Sequence, residues 1–261
     1  MSLRYKTFFL FQKVMRNTRL CKHLIEKILG ITITHINFPL TEKTIDARFD
    51  AKSIRLDVYV IDDTGRAYDI ECQVTEGKDG ELAKRTRYYQ ALMDMDLLEK
   101  GQTYDKLNDS YIIFICTFDV FKRGLPIYTF TNQCHQIDDV SLGDGATKVF
   151  LNSKGNTVGI DPDIAAFLQY INTTKVEGTF VEEIDKEVRN IKLSENVRLE
   201  YMTLEMEIQR REERTRQQER MDILIRMLQN RLGYDVIAKV TQYSIPQLKA
   251  IAKEHHIPDY Q

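Results

Sequence analysis

Asp57 and Glu71 are the residues whose placement asks for chemistry. They lie in the stretch IRLDVYVIDDTGRAYDIECQVT, from Ile54 to Thr75. If that stretch folds as a β-hairpin, the two carboxylates stand opposite each other on one sheet face. Their Cβ atoms would be ~4.5–5.5 Å apart, where like charges destabilise. A hard divalent cation relieves that repulsion, and Mg²⁺ characteristically takes one or two carboxylates and leaves its other positions to water and phosphate. The alternative is a solvated strand face on which Arg55 or a nearby lysine neutralises the acids.

The register follows from the turn. Val60-Ile61 and Tyr68 flank the polar run Asp62-Asp63-Thr64-Gly65. A three-residue loop Asp63-Thr64-Gly65, with Gly65 in the left-handed conformation and a G1 bulge, pairs Asp62 with Arg66. Ile54 then opposes Val74, Leu56 opposes Cys72, Val58 opposes Ile70 and Val60 opposes Tyr68, an unbroken apolar face. The other face pairs Arg55 with Gln73, Asp57 with Glu71 and Tyr59 with Asp69. A two-residue loop would mix the faces, which alternation forbids when one of them is buried.

Other elements surround the hairpin. Residues 8–29 carry apolar positions at helical spacing and end at Gly30, a natural C′ residue. Glu26, the one acid in the last turns of that helix, is either solvated or a carboxylate reaching toward the hairpin. Residues 31–38 alternate as a strand until Pro39, and 41–53 read as a polar loop. Glu81 to Lys100 reads as a helix whose first turns crowd together Lys84, Arg85, Arg87 and Tyr88. Such a basic cluster suits phosphate contact, although a solvated basic face is the commoner meaning of one on a single helix. Residues 110–118 are almost wholly apolar, as in a central strand buried on both faces. Strands are expected at 127–130 and 147–151. A short helix is expected from Pro162 to Asn172, with Asp161 as N-cap.

Beyond Thr179 the composition changes. No proline or glycine occurs from Phe180 to Arg231, so one or two long helices are expected, and QRREERTRQQER (209–220) has no apolar residue with which to bury a face. The last stretch recovers apolar periodicity as two short helices around a turn, with Ser244 and Gln247 matching a capping box. That spacing fits a helix-turn-helix and equally a partner-binding or dimerising hairpin. Three regions result: a globular domain over 1–178, a charged spacer over 179–220 and a helical hairpin over 221–261.

Composition narrows the classes. The chain has 261 residues and a net charge of −2, so nucleic-acid contact would have to come from local basic clusters. Its four cysteines show no CxxC and its five histidines no ligand spacing, which argues against zinc. No GxSxG, HExxH or GxxxxGK motif occurs. No apolar run approaches 18 residues and no stretch reads as a signal peptide, so the expected location is the cytoplasm.

The order helix, strand, strand with Asp57, strand with Glu71-Cys72-Gln73, basic helix, buried strand resembles the PD-(D/E)XK nuclease core, specifically the Rpn-type recombination-promoting nucleases and transposases. LFQKVM (10–15), RLDVYV (55–60), YDIECQ (68–73), KRTRYYQALMDMDLLEKG (84–101), YIIFICTFD (111–119) and GLPIYTF (124–130) carry the resemblance, which runs colinearly from about Leu10 to Met206. It implies an α/β (α+β) fold of restriction-endonuclease type, with a mixed central sheet flanked by helices, then a long charged helix and a C-terminal helical hairpin. It also implies a Mg²⁺- or Mn²⁺-dependent endonuclease acting on double-stranded DNA, with a homodimer through the charged helix and the hairpin as a further candidate.

Under that resemblance Asp57 and Glu71 ligate the metal, joined by the Cys72 carbonyl, with Glu26 as a candidate extra acid. Gln73 stands where the wider superfamily has lysine, as is usual in this family; it would orient water, and Lys84, Arg85 or Arg87 would supply the missing cation. Lys84, Arg85, Arg87 and Tyr88 are the expected phosphate contacts. Relatives commonly carry an acid just ahead of LFQKVM, where this chain reads Lys6-Thr7-Phe8-Phe9. The alternative is a catalytically impaired DNA-binding or assembly protein on the same core.

Overall fold

The computed structural model describes residues 3–46 and 52–259. Its centre is a six-stranded sheet formed by β1 (Leu40–Ile45), β2 (Ile54–Ile61), β3 (Ala67–Gln73), β4 (Ser110–Cys116), β5 (Ile127–Phe130) and β6 (Ala146–Asn152), in the order β1-β2-β3-β4-β6-β5. The pairs β3–β4 and β4–β6 are parallel and the outer pairs antiparallel, the mixed sheet expected. β4 is buried along nearly its whole length, which its unbroken apolar run dictates.

The hairpin has the register deduced from its turn. Val58 pairs with Ile70, Tyr59 with Asp69, Val60 with Tyr68 and Ile61 with Ala67. Asp62 N–H donates to the Arg66 carbonyl, and Gly65 adopts φ +86°. Asp62 Oδ1 accepts from the N–H groups of Thr64 (2.9 Å) and Arg66 (3.0 Å), so the side chain itself closes the loop.

Three local expectations are corrected. The first helical region is two helices, α1 (Leu3–Met15) and α2 (Thr18–Leu29), because Asn17 caps α2 by accepting from Leu20 N–H. Residues 31–38 form no strand; a single bridge between Ile36 and Asp62 ties them to the sheet. The strand lies in the polar stretch after Pro39 instead. β1 is an edge strand whose only buried residue is Ile45, so its sequence looks like a loop.

α3 (Glu81–Leu97) makes the crossover between the parallel strands β3 and β4. Its Leu82, Tyr89, Leu92 and Met93 bury one sheet face with Tyr59, Ile112, Phe114 and Phe150. α4 (Pro162–Thr173), capped by Asp161 as expected, packs with α5 (Thr179–Leu193) and with α2; α5 also packs with α1 and α2, and α1 reaches β2 and β3. The compact unit therefore ends at Ser194 and not at 178. Phe180, Val181, Ile184, Val188 and Ile191 of α5 are buried core residues, not part of a spacer.

The second unit comprises α6 (Glu195–Gln229), α7 (Tyr234–Thr241) and α8 (Ile245–Glu254). Leu224, Leu228, Tyr234, Ile237, Leu248 and Ala252 make its small core. Residues 209–220 are exposed throughout, as their composition requires. Ser244 and Gln247 form the expected capping box. Among the described residues, no helix is long and apolar enough to cross a membrane.

Candidate active site

Beyond Val58 the hairpin ladder gives way to side-chain contacts, and these involve the two acids. Asp57 N–H donates to Glu71 Oε1 (3.0 Å), and Cys72 N–H donates to Asp57 Oδ2 (3.1 Å). Each carboxylate thus accepts from the backbone of the opposite strand. The expected continuation of the ladder, Leu56 with Cys72 and Ile54 with Val74, is not part of it. Asp57 Oδ1 accepts no hydrogen bond among the described residues.

α3 sits over this face and contributes Arg85. Its Nη2 donates to Glu71 Oε2, its Nη1 to Gln73 Oε1 (3.1 Å) and its Nε to the Tyr89 hydroxyl (2.8 Å). The guanidinium carbon lies 4.9 Å from the Tyr89 ring centre and 5.1 Å from that of Phe114, within cation–π range. Gln73 uses its other end to donate to the Thr75 carbonyl (2.8 Å). Asp57, Glu71, Gln73 and Arg85 are therefore one connected group.

Other expected site residues lie apart from it. Lys84 and Arg87 are exposed on α3 and form no ion pair among the described residues. Tyr88 donates its hydroxyl to the Lys52 carbonyl (2.5 Å). The Glu26 carboxylate accepts from Ile33 N–H (2.8 Å) and pairs with Lys22 (3.6 Å), so it serves the end of α2 and has no contact with Asp57 or Glu71. Cys72 reaches the group through its N–H. Its side chain lies on the other face, beside an apolar cavity of about 140 Å³ lined by Leu10, Phe11, Val14, Phe167 and Ile184, and burial holds the thiol protonated.

Alternation in the hairpin places Asp69 on the acid face, with no role assigned to it from sequence. It is fully buried, and neither carboxylate oxygen has a partner; the same is true of the hydroxyl of Tyr59, its partner across the hairpin. Its position beside Glu71 is visible in the strand pattern, but only the covering helix α3 makes that position dry.

Three acids, Asp57, Asp69 and Glu71, thus share a buried face, and among the described residues one guanidinium touches it directly. Burial first, then the neighbouring Glu71 charge, pushes the Asp57 carboxyl up to about 8. Burial also raises Glu71, against the pull of Arg85, and raises Asp69 well above the carboxylate range, with Glu71 and Asp57 adding to the effect. Such a site favours anything that brings positive charge. Among the described residues no three His, Cys, Asp or Glu side chains form a ready-made metal cage. The donor set still fits Mg²⁺, which keeps several waters and needs only one or two carboxylates.

The family model for PD-(D/E)XK nuclease family transposases matches residues 6–145, more than half of the chain. The chain belongs to this family. The match begins in α1 and stops just ahead of β6, so it contains β2, β3, α3 and β4 and with them the whole connected group. The mixed sheet flanked by helices is consistent with a nuclease core of this family. No curated protein and no solved structure matches the chain. Against the wider PD-(D/E)XK pattern, the cation expected at position 73 is absent from β3, and a guanidinium from α3 touches that position instead.

Proposed function

We propose that the chain is a metal-dependent DNA endonuclease that hydrolyses phosphodiester bonds in double-stranded DNA, in keeping with its family. The observation that carries this reading is the Asp57–Glu71 pair, two adjacent buried carboxylates with a guanidinium in contact with one of them. Asp57, through its unengaged Oδ1, and Glu71 would hold Mg²⁺ or Mn²⁺. PD-(D/E)XK nucleases generally use such ions, which polarise the phosphate and make a hydroxide nucleophile accessible near neutral pH. Arg85 would neutralise charge on the phosphate, and Lys84 and Arg87, exposed on α3, would grip flanking phosphates without reading sequence.

The test is nicking of supercoiled plasmid in Mg²⁺ by wild type, Asp57→Ala and Glu71→Ala. The wild type should nick and both variants should lose at least about a hundredfold, the scale of removing one catalytic electrostatic element. Equal nicking by all three would refute the assignment.

A second reading, a catalytically impaired DNA-binding or assembly protein, is favoured by one observation. Both ends of the Gln73 amide are engaged, with Thr75 and Arg85, so it is not free to orient a water. Under that reading the wild type itself leaves the plasmid intact while still retarding DNA. We also propose a homodimer through α6 and the C-terminal hairpin, supported by the exposed Leu199, Met202 and Met206 on α6. A monomer by sedimentation at all concentrations would remove that part.

A further inference from the structure

We infer that Arg85 is the built-in counter-ion of the metal site: it holds Glu71 in the metal-free chain, and an arriving divalent cation displaces it onto the scissile phosphate. This rests on the nuclease reading above and adds to it a second, mobile role for one residue. Glu71 has both oxygens engaged, Oε1 by Asp57 N–H and Oε2 by Arg85 Nη2. The first contact is a backbone amide held by the hairpin. The second comes from a side chain on another element, and it is the one that can be exchanged. A dication and a guanidinium on the same carboxylate oxygen repel one another in a face with little water to screen them.

The surroundings suit such an exchange. The Arg85 side chain is 31% exposed while Glu71 is 1% exposed, so the guanidinium has an open side and the carboxylate does not. Its anchors lie away from the acids: the Nε contact to Tyr89 and the ring faces of Tyr89 and Phe114. With these kept, a rotation about the last side-chain bonds frees both Nη atoms together. Two parallel N–H groups are then presented outward, the fork that recognises phosphate oxygens. The half-buried Gln73, which accepts from Nη1, would be released in the same movement and become able to orient a water.

Removing Arg85 should have two effects that loss of a purely structural ion pair would not produce together. Metal binds more tightly, because its competitor is gone, and cleavage is lost, because the phosphate has no partner. The experiment is calorimetric titration of Mn²⁺ into wild type, Arg85→Met and Arg85→Lys, with folding checked by circular dichroism and plasmid nicking measured in parallel. Arg85→Met should bind Mn²⁺ about tenfold or more tightly than wild type, the size of a neighbouring charge's effect on an ionisable group. Its nicking should fall roughly a hundredfold or more. Arg85→Lys keeps the charge but cannot bridge Glu71 and Gln73 at once, so its affinity should lie between the two, and it decides the matter if Arg85→Met does not fold. Mn²⁺ affinity unchanged or weakened in the folded variants overturns the counter-ion role while leaving the nuclease reading intact. No Mn²⁺ binding by the wild type overturns both.

Discussion

Asp69 shows most directly what α3 does to the chemistry beneath it. A carboxylate with no hydrogen-bond partner and no exposure holds its proton more tightly folded than unfolded, and its neighbours Asp57 and Glu71 are shifted the same way. An acid with a raised folded pKa contributes stability that is fully present below its unfolded value near 4 and is lost as pH climbs through the folded value. For Asp57 that window ends at about 8. Metal-free wild type should therefore lose stability relative to Asp57→Asn as the pH rises from about 5 to about 8.5, in melting curves recorded with a chelator. Wild type gaining on the variant over that range would contradict the burial of the acid. Asp69→Asn should likewise stabilise the metal-free protein by about 1–2 kcal/mol near pH ~8.5, and by less near pH ~6 where the acid is already neutral. Divalent ion should act in the opposite sense on the metal site: Mg²⁺ at ~100 Kd raises wild-type stability by roughly 2.7 kcal/mol and leaves Asp57→Ala unmoved. Of these residues the sequence made Asp57 and Glu71 legible, because alternation and a turn fix which side chains share a face. It could not show which faces are dry, since that depends on a helix that returns from further along the chain.

The elements were legible where a local signal closes them. Gly65, Gly30, Asp161 and Ser244 all end or begin elements as their chemistry requires. Gly65 also faces a close neighbour: a Cβ there would meet Asn108 Nδ2 at 2.5 Å, besides the unfavourable φ of +86°. Gly65→Ala is expected to destabilise the first unit by about 1–2 kcal/mol in urea unfolding, with loss of metal affinity if the hairpin register shifts. Where elements are held by distant partners, the local pattern misled. β1 has one buried residue and owes its extended form to pairing with β2, whereas 31–38 has strand-like alternation but only one bridge to the sheet. The break between α1 and α2 turned on one asparagine side chain, a signal visible at Asn17 but outweighed by the helical spacing on either side.

At the scale of the whole chain, the division after Ser194 changes where a stable fragment should end. A fragment of residues 1–194 keeps α5 and the surface it buries; one ending at 178 leaves bare the residues of α1, α2 and α4 that α5 covers. The longer fragment should melt cooperatively and resist proteolysis, and the shorter should be aggregation-prone or degraded. A shorter fragment as stable as the longer would show that α5 is dispensable packing. The boundary was hard to place from sequence because α5 and α6 share one proline-free, glycine-free stretch, and only the burial of Phe180 to Ile191 separates them. The buried acids also bear on the chain's history. Three carboxylates under one helix are an arrangement that drift toward stability alone would erase, since apolar residues of similar size would sit there more comfortably. If random variants were selected only for heat resistance, Asp57, Asp69 and Glu71 should be among the first positions to change, and their survival in this chain would then reflect a pressure other than folding.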